Sequence, residues 1–266
     1  DGDWDDLDPG NADSKMNEAL SLLAQACEPS ASIVSSSRPT PKWQPVVLSF
    51  QGPDTSESAT PNPFTDYRLT VRFTRGNRTV TVPGFYAADG NAAESGAESG
   101  NVWRVKFAPD EVGVWNYTAE FQTGPNIAVA EEHEKGQATA FDGATGSFEV
   151  GPLDPNAPGF EAKGILRSMT SRYPQFAETG EYFIKGGVDS PENMLAFADF
   201  DGTTPTHRFE PHAGDWREGD PSWRDGKGKN LIGALNYLAS KEINSVYFLT
   251  MNVIGDGKDV WPWTQD

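Results

Sequence analysis

The chain has 266 residues, 36% of them hydrophobic and 11% aromatic, enough to build folded cores. Asp and Glu outnumber Lys and Arg by 39 to 21, for a net charge of −18. Such a field repels phosphate backbones and anionic lipid, which argues against nucleic-acid and membrane-surface partners and against polyanionic substrates that lack a local basic pocket. The same acidity keeps a secreted protein soluble.

Cys27 is the sole cysteine, so no disulfide can form within the chain and no thiolate cluster can hold a metal. His133, His207 and His212 lack zinc-motif spacing, and neither a metal nor a cofactor is expected. No apolar run approaches the ~18 residues of a membrane span. The sequence begins at Asp1 rather than Met, so a signal peptide is expected upstream, with an extracellular or periplasmic location.

Residues 1–41 read as an acidic tail, a short helix and a linker. Asp1, Asp3 and Asp5 imitate a calcium loop, but Asp6 and Ala12 stand where an EF-hand needs Gly and Glu. Ser14 to Ala26 suits a short surface helix. The stretch Ala19 to Cys27 can also be read as the end of a lipidated signal, although Glu18 and the lack of a basic head speak against it. Residues 28–41, rich in Ser and Pro, suit a linker.

Over residues 42–152 the period is two. Tyr67, Leu69, Val71 and Phe73 alternate with Arg68, Thr70, Arg72 and Thr74, predicting a strand with one buried face. Gly76-Asn77 turns this strand into Thr79–Val82. Trp103, Val105 and Phe107 form one further inward row, and Trp115, Tyr117, Ala119 and Phe121 another. Val46–Phe50 and Ser147–Val150 supply the first and last strands, and Ala87 to Gly100 reads as an exposed loop. Short strands with turn signals between them describe a β-sandwich.

After Pro152-Leu153-Asp154-Pro155 the pattern changes. Short strands are predicted near Ile165, at Tyr173–Phe176 and at Tyr182–Lys185, then a helix start at Ser190-Pro191-Glu192. A loop rich in Asp, Gly, Trp and His spans residues 199–228. Leu231, Ile232, Leu235 and Leu238 then share a helix face, and Val246 to Met251 reads as a parallel strand buried on both sides.

Three stretches carry a resemblance: Asn62 to Arg68, Val82 to Gly90, and Gly113 to Tyr117. They resemble an N-terminal sandwich known as domain of unknown function 5060, which commonly precedes glycoside hydrolase barrels of the apiosidase-like type. Lys185 to Asn193, Gly233 to Ser240 and Asn244 to Asp259 are similar to the opening of such a barrel. The resemblance covers about residues 43–266. It implies a multidomain chain, β followed by α/β: an immunoglobulin-like β-sandwich (42–152) and the first, incomplete units of a TIM (β/α)₈ barrel (156–266). It also implies a secreted enzyme that hydrolyses a polysaccharide or oligosaccharide through paired carboxylates. The family's catalytic pair belongs to later strands, so no catalytic residue is carried over.

Candidate substrate-binding residues follow the predicted strands, at the face where barrel sites form. Asp189, Glu192 and Asn193 come after the first strand, where they would bond sugar hydroxyls or, alternatively, cap a turn and helix. Asn252, Asp256 and Asp259 follow the second strand, with Trp261 and Trp263 behind them; aromatic faces beside polar groups suit a pyranose ring. His212 and Trp216, with Trp223, are weaker candidates in the 199–228 loop, where packing would equally explain them. The rival reading is a non-catalytic carbohydrate-binding or adhesive module with the sandwich as its working part.

Overall fold

A computed structural model describes residues 31–34 (backbone alone), 39–131, 134–168, 172–188, 194–200 and 207–249. The chain forms two compact units, one within residues 1–92 and 97–162, the other within residues 93–96 and 163–266.

The strands of the first unit are numbered in chain order: β1 (Ala31–Val34), β2 (Thr40–Pro41), β3 (Val46–Ser56), β4 (Tyr67–Arg75), β5 (Arg78–Pro83), β6 (Phe85–Tyr86), β7 (Ser99–Phe107), β8 (Gly113–Thr123), β9 (Gln137–Ala138) and β10 (Thr145–Gly151). One sheet runs β1-β3-β7-β6, and the other runs β2-β10-β8-β4-β5 with β9 on β8. All neighbours are antiparallel except β2 with β10.

The period of two explains both sheets. Along β8, Trp115, Tyr117, Ala119 and Phe121 are buried, while Val114, Asn116 and Thr118 face water. The rows Leu69/Val71/Phe73, Trp103/Val105/Phe107 and Val46/Leu48/Phe50 are buried in the same core. Rings from the two sheets meet there, Phe73 with Phe107 at 4.3 Å between centroids and Trp103 with Phe121 at 4.7 Å. Each such pair contributes about 0.5–1.5 kcal/mol beyond its buried area. Gly76, with φ of 55°, makes the tight turn between β4 and β5. At residue 52 a Cβ would lie 2.5 Å from the Trp103 indole, and the β3–β7 register shifts between Gln51 and Thr55.

Three expectations for this unit change. Within residues 28–41, read as a linker, β1 pairs with β3 (Ala31 opposite Phe50) and β2 with β10 (Thr40 opposite Val150). Their partners are distant in sequence, so local composition could not reveal them. The stretch Ala87 to Gly100 is only partly an exposed loop: it holds a short helix, α1 (Ala92–Ser95), Ala88 is buried, and Ala92 and Ala97 pack on the core. Small side chains there serve close approach. The first strand also runs past Phe50 to Ser56.

In the second unit, β11 (Leu166–Arg167) pairs with β12 (Gln175–Phe176), near the strands expected around Ile165 and Tyr173–Phe176. The strand expected at Tyr182–Lys185 is a single bridge, Tyr182 with Gln175. The regular strand comes later: β13 (Gly187–Val188) lies parallel to β14 (Ser245–Val246). Helix α2 (Lys229–Ser240) lies between them in sequence, with Leu231 and Ala234 buried, and packs on a 3₁₀ turn at Glu210–Asp215. The helix start Ser190-Pro191-Glu192 lies outside the described residues, and Met194–Ala196 is one 3₁₀ turn. The strand expected over Val246–Met251 is not buried on both sides where it is described. Tyr247 and Phe248 are 47% and 39% exposed, because β13 and β14 form a sheet of two strands. Among the described residues no helix is long and apolar enough to cross a membrane.

Trp115 is fully buried, and its Nε1 donates to the Glu111 carbonyl at 2.9 Å; Val114 beside it is 56% exposed. Trp115→Ala is expected to cost about 3–5 kcal/mol, and Val114→Thr less than about 0.5 kcal/mol. Denaturant titration followed by circular dichroism checks both values.

Candidate functional site

Of the candidates from sequence, Asp189, Glu192, Asn193, Asn252, Asp256, Asp259, Trp261 and Trp263 lie outside the described residues. The structure brings His212 and Trp216 together beside α2. His212 Nδ1 lies 3.0 Å from Asp215 Oδ2, and its ring is 4.9 Å from that of Tyr237. Trp216 Nε1 donates to the Pro221 carbonyl at 3.1 Å, and Lys229 Nζ sits 4.1 Å from the indole. Asn236 Nδ2 donates to the Asp215 carbonyl at 3.0 Å and to Asp220 Oδ2 at 2.7 Å. These contacts dock residues 210–220 on the helix. Gly233 makes the close approach possible, because a Cβ there would meet the His212 carbonyl at 2.0 Å. Trp223 is held in the same manner, stacked on Phe200 at 5.7 Å.

The first unit carries a groove that the sequence reading missed. A cavity of about 480 Å³ is lined by Phe64, Tyr67, Arg68, Thr70, Phe85 and Tyr86, among others. A second depression, about 180 Å³, is lined by Thr70, Arg72, Thr81, Thr118 and Glu120, and so shares Thr70 and Thr81 with the first. Phe64 and Phe85 are 54% and 43% exposed. Tyr86 is buried. Its hydroxyl lies 2.8 Å from the Thr55 carbonyl and 3.1 Å from that of Gly100, and burial raises its pKa. Arg68 bonds Gln122 Oε1 at 3.2 Å, the Glu131 carbonyl at 3.3 Å and the Glu134 carbonyl. The available signal was the outward row of β4, whose Arg and Thr side chains had been read simply as a solvated face.

Asp66 ties together the loops at this end of the unit, beside a further cavity of about 720 Å³ that it lines with Thr123 and Lys135. Its Oδ2 accepts the Asn62 amide at 2.8 Å, and its Oδ1 accepts the Asn126 amide at 2.9 Å. The amides of Asn126 and Asn62, in that order, stabilise the carboxylate and hold its pKa below 3.8. Its own carbonyl accepts from Thr123 Oγ1 and Gly124 N, both at 3.0 Å.

Residues 39–122 match a family described as Domain of unknown function (DUF5060). Apart from residues 93–96 the match lies within the first unit, and it includes β3 to β7 and most of the groove lining. A solved structure from Bacteroides vulgatus ATCC 8482, provisionally named a glycoside hydrolase, is 22% identical and aligns with 61% of this chain at a TM-score of 0.39. The chain covers 26% of that protein. No curated protein matches the sequence.

Replacing helical Gly by Ala normally stabilises by about 1 kcal/mol. Gly233→Ala is expected to destabilise instead, by about 1–3 kcal/mol, because the new methyl meets backbone. A lowered thermal midpoint checks the sign. Asp66 has a depressed folded pKa, so its stabilising contribution is full above 3.8 and disappears as the pH falls through the lower folded value. Thermal midpoints measured from pH ~6 to pH ~2 should therefore converge at the acid end for wild type and Asp66→Asn, with wild type higher at neutral pH.

Proposed function

We propose that the chain is the front part of a secreted glycoside hydrolase, acting on plant or algal polysaccharide through a pair of carboxylates. The first unit is then an immunoglobulin-like sandwich and the second the opening of a (β/α)₈ barrel. The observation that carries this reading is the parallel pair β13–β14 with α2 between its strands, in the unit that comes after the matched residues 39–122 in sequence. Parallel neighbours require a crossover, commonly a helix, and a barrel repeats that step eight times. Because β13 and β14 are parallel, the chain leaves both strands at the same edge. Barrel enzymes gather their substrate-binding groups at that edge. Asp189, Glu192 and Asn193 follow β13 in sequence, and Asn252, Asp256, Asp259, Trp261 and Trp263 follow β14. In this reading they contact sugar hydroxyls and ring faces, with His212 and Trp216 at the margin.

A closed barrel takes about 250 residues, and hydrolysis needs two carboxylates fixed on either side of the scissile bond. Both catalytic acids are assigned to strands beyond β14. The test compares residues 1–266 with the product of the complete reading frame that encodes them, assaying reducing-end release from neutral plant and algal glycans. The complete protein should release new ends and residues 1–266 none. In the complete protein, Asn252→Ala should lower kcat by up to about tenfold, the worth of one hydrogen bond, and Trp263→Ala should raise KM. Turnover by residues 1–266 alone, or none by the complete protein, overturns the proposal.

A further inference from the structure

The outward face of the sheet in the first unit carries unused hydrogen-bonding groups in an ordered array. The register places Thr81, Arg72 and Thr118 side by side across β5, β4 and β8, and Pro83, Thr70 and Glu120 in the next outward row. Neighbouring strands lie about 4.8 Å apart, and β4 rises about 13 Å from Arg68 to Arg72. Among the described residues, the Arg72 guanidinium and the hydroxyls of Thr70, Thr81 and Thr118 make no hydrogen bond or ion pair within the protein. Glu120, by contrast, is held by Lys135 at 2.8 Å and Gln122 at 2.6 Å. At the Arg68 end the array runs into the cavity bordered by Phe64 and Phe85. Phe64 meets Tyr86 edge to face at 6.1 Å and remains half exposed, and Lys106 Nζ stands 5.9 Å from the Phe85 ring.

We infer that this groove binds a neutral glycan chain, independently of any catalytic centre. The inference rests on the reading above of a glycan-acting protein and assigns its first unit a share of substrate capture. An extended glycan offers what the groove lacks. Its hydroxyls donate to and accept from threonine and arginine, and its C–H faces bury against an aromatic ring. Free groups in rows on a rigid sheet bind without first paying to be ordered. Neutral chains are favoured over acidic ones for two reasons. Glu120 stands in the row next to Arg72, and the whole protein at −18 repels polyanions.

The experiment is native affinity electrophoresis of the 266-residue chain in gels containing xyloglucan, arabinoxylan, galactomannan or, as the acidic arm, polygalacturonate. At least one neutral glycan should retard the protein. Phe64→Ala, and separately the double change Thr81→Val with Thr118→Val, should weaken that binding by about three- to tenfold, with thermal midpoints unchanged. Valine keeps the strand shape and removes only the hydroxyl, so the second variant reads recognition even if the first disturbs the loop. Retardation by none of the neutral glycans, retardation by polygalacturonate alone, or wild-type binding by both variants overturns the inference. Binding by a complete protein that cleaves nothing would sink the hydrolase reading and leave this one standing. Cleavage without such binding would do the reverse.

Discussion

The Trp103 indole lies so close to the backbone of residue 52 that only a residue without a Cβ fits there. That contact seats the indole against β3, the neighbouring strand of its own sheet. The same ring stands 5.2 Å from Tyr67, 5.2 Å from Tyr86 and 4.7 Å from Phe121, and Phe121 stacks on Phe141 at 4.3 Å. One side chain thus joins both sheets and also backs the groove, since Trp103, Tyr67 and Tyr86 all line its wall. The fit has a cost: Trp103 Nε1 is buried without a hydrogen-bond partner among the described residues. A donor left in that state costs about 1–3 kcal/mol, which close packing of the surrounding rings must offset.

The first unit was the legible part of the sequence because its pattern is local. Alternation along Tyr67–Phe73 and Trp115–Phe121 names the buried face directly, and the structure buries Leu69, Val71, Phe73, Trp115, Tyr117, Ala119 and Phe121. The edge strands β1 and β2 were not legible, since their assignment comes from partners at Val47–Phe50 and Val150–Gly151 rather than from their own composition. The groove was hidden for a related reason: it depends on the cross-strand register of Thr81, Arg72 and Thr118, which no single strand displays. In the second unit, hydrophobic runs showed what could be buried. The exposed rings of Tyr247 and Phe248 show that apolar character does not supply its own covering. Within the helical pattern around Leu231 and Leu235, nothing marked Gly233 for a particular task. Its purpose is visible only once the His212 carbonyl lies against it.

The two units therefore hold together by different means. The first relies on interdigitated rings, where shape decides and few polar groups take part. The second, as described, relies on hydrogen bonds and ring contacts between an irregular segment and one helix, with Asn236 bonded to Asp215 and Asp220 and Lys229 set against the Trp216 ring. Irregular backbone needs such side-chain partners because it has no ladder of its own. Loops built in this way, positioned on a regular scaffold, are where binding groups commonly reside.

The parallel pairing of β2 with β10 also has a mechanical side. Thr40 lies opposite Val150 and Pro41 opposite Gly151, with Lys42 N donating to the Gly151 carbonyl at 3.1 Å. Tension applied along the chain would pull β2 backwards at residue 40 and β10 forwards at residue 151. The two strands would then slide past each other, and the bonds between them would be loaded together in shear instead of opening one at a time like a zip. A load entering at residue 40 and leaving at residue 151 would therefore meet this edge in shear.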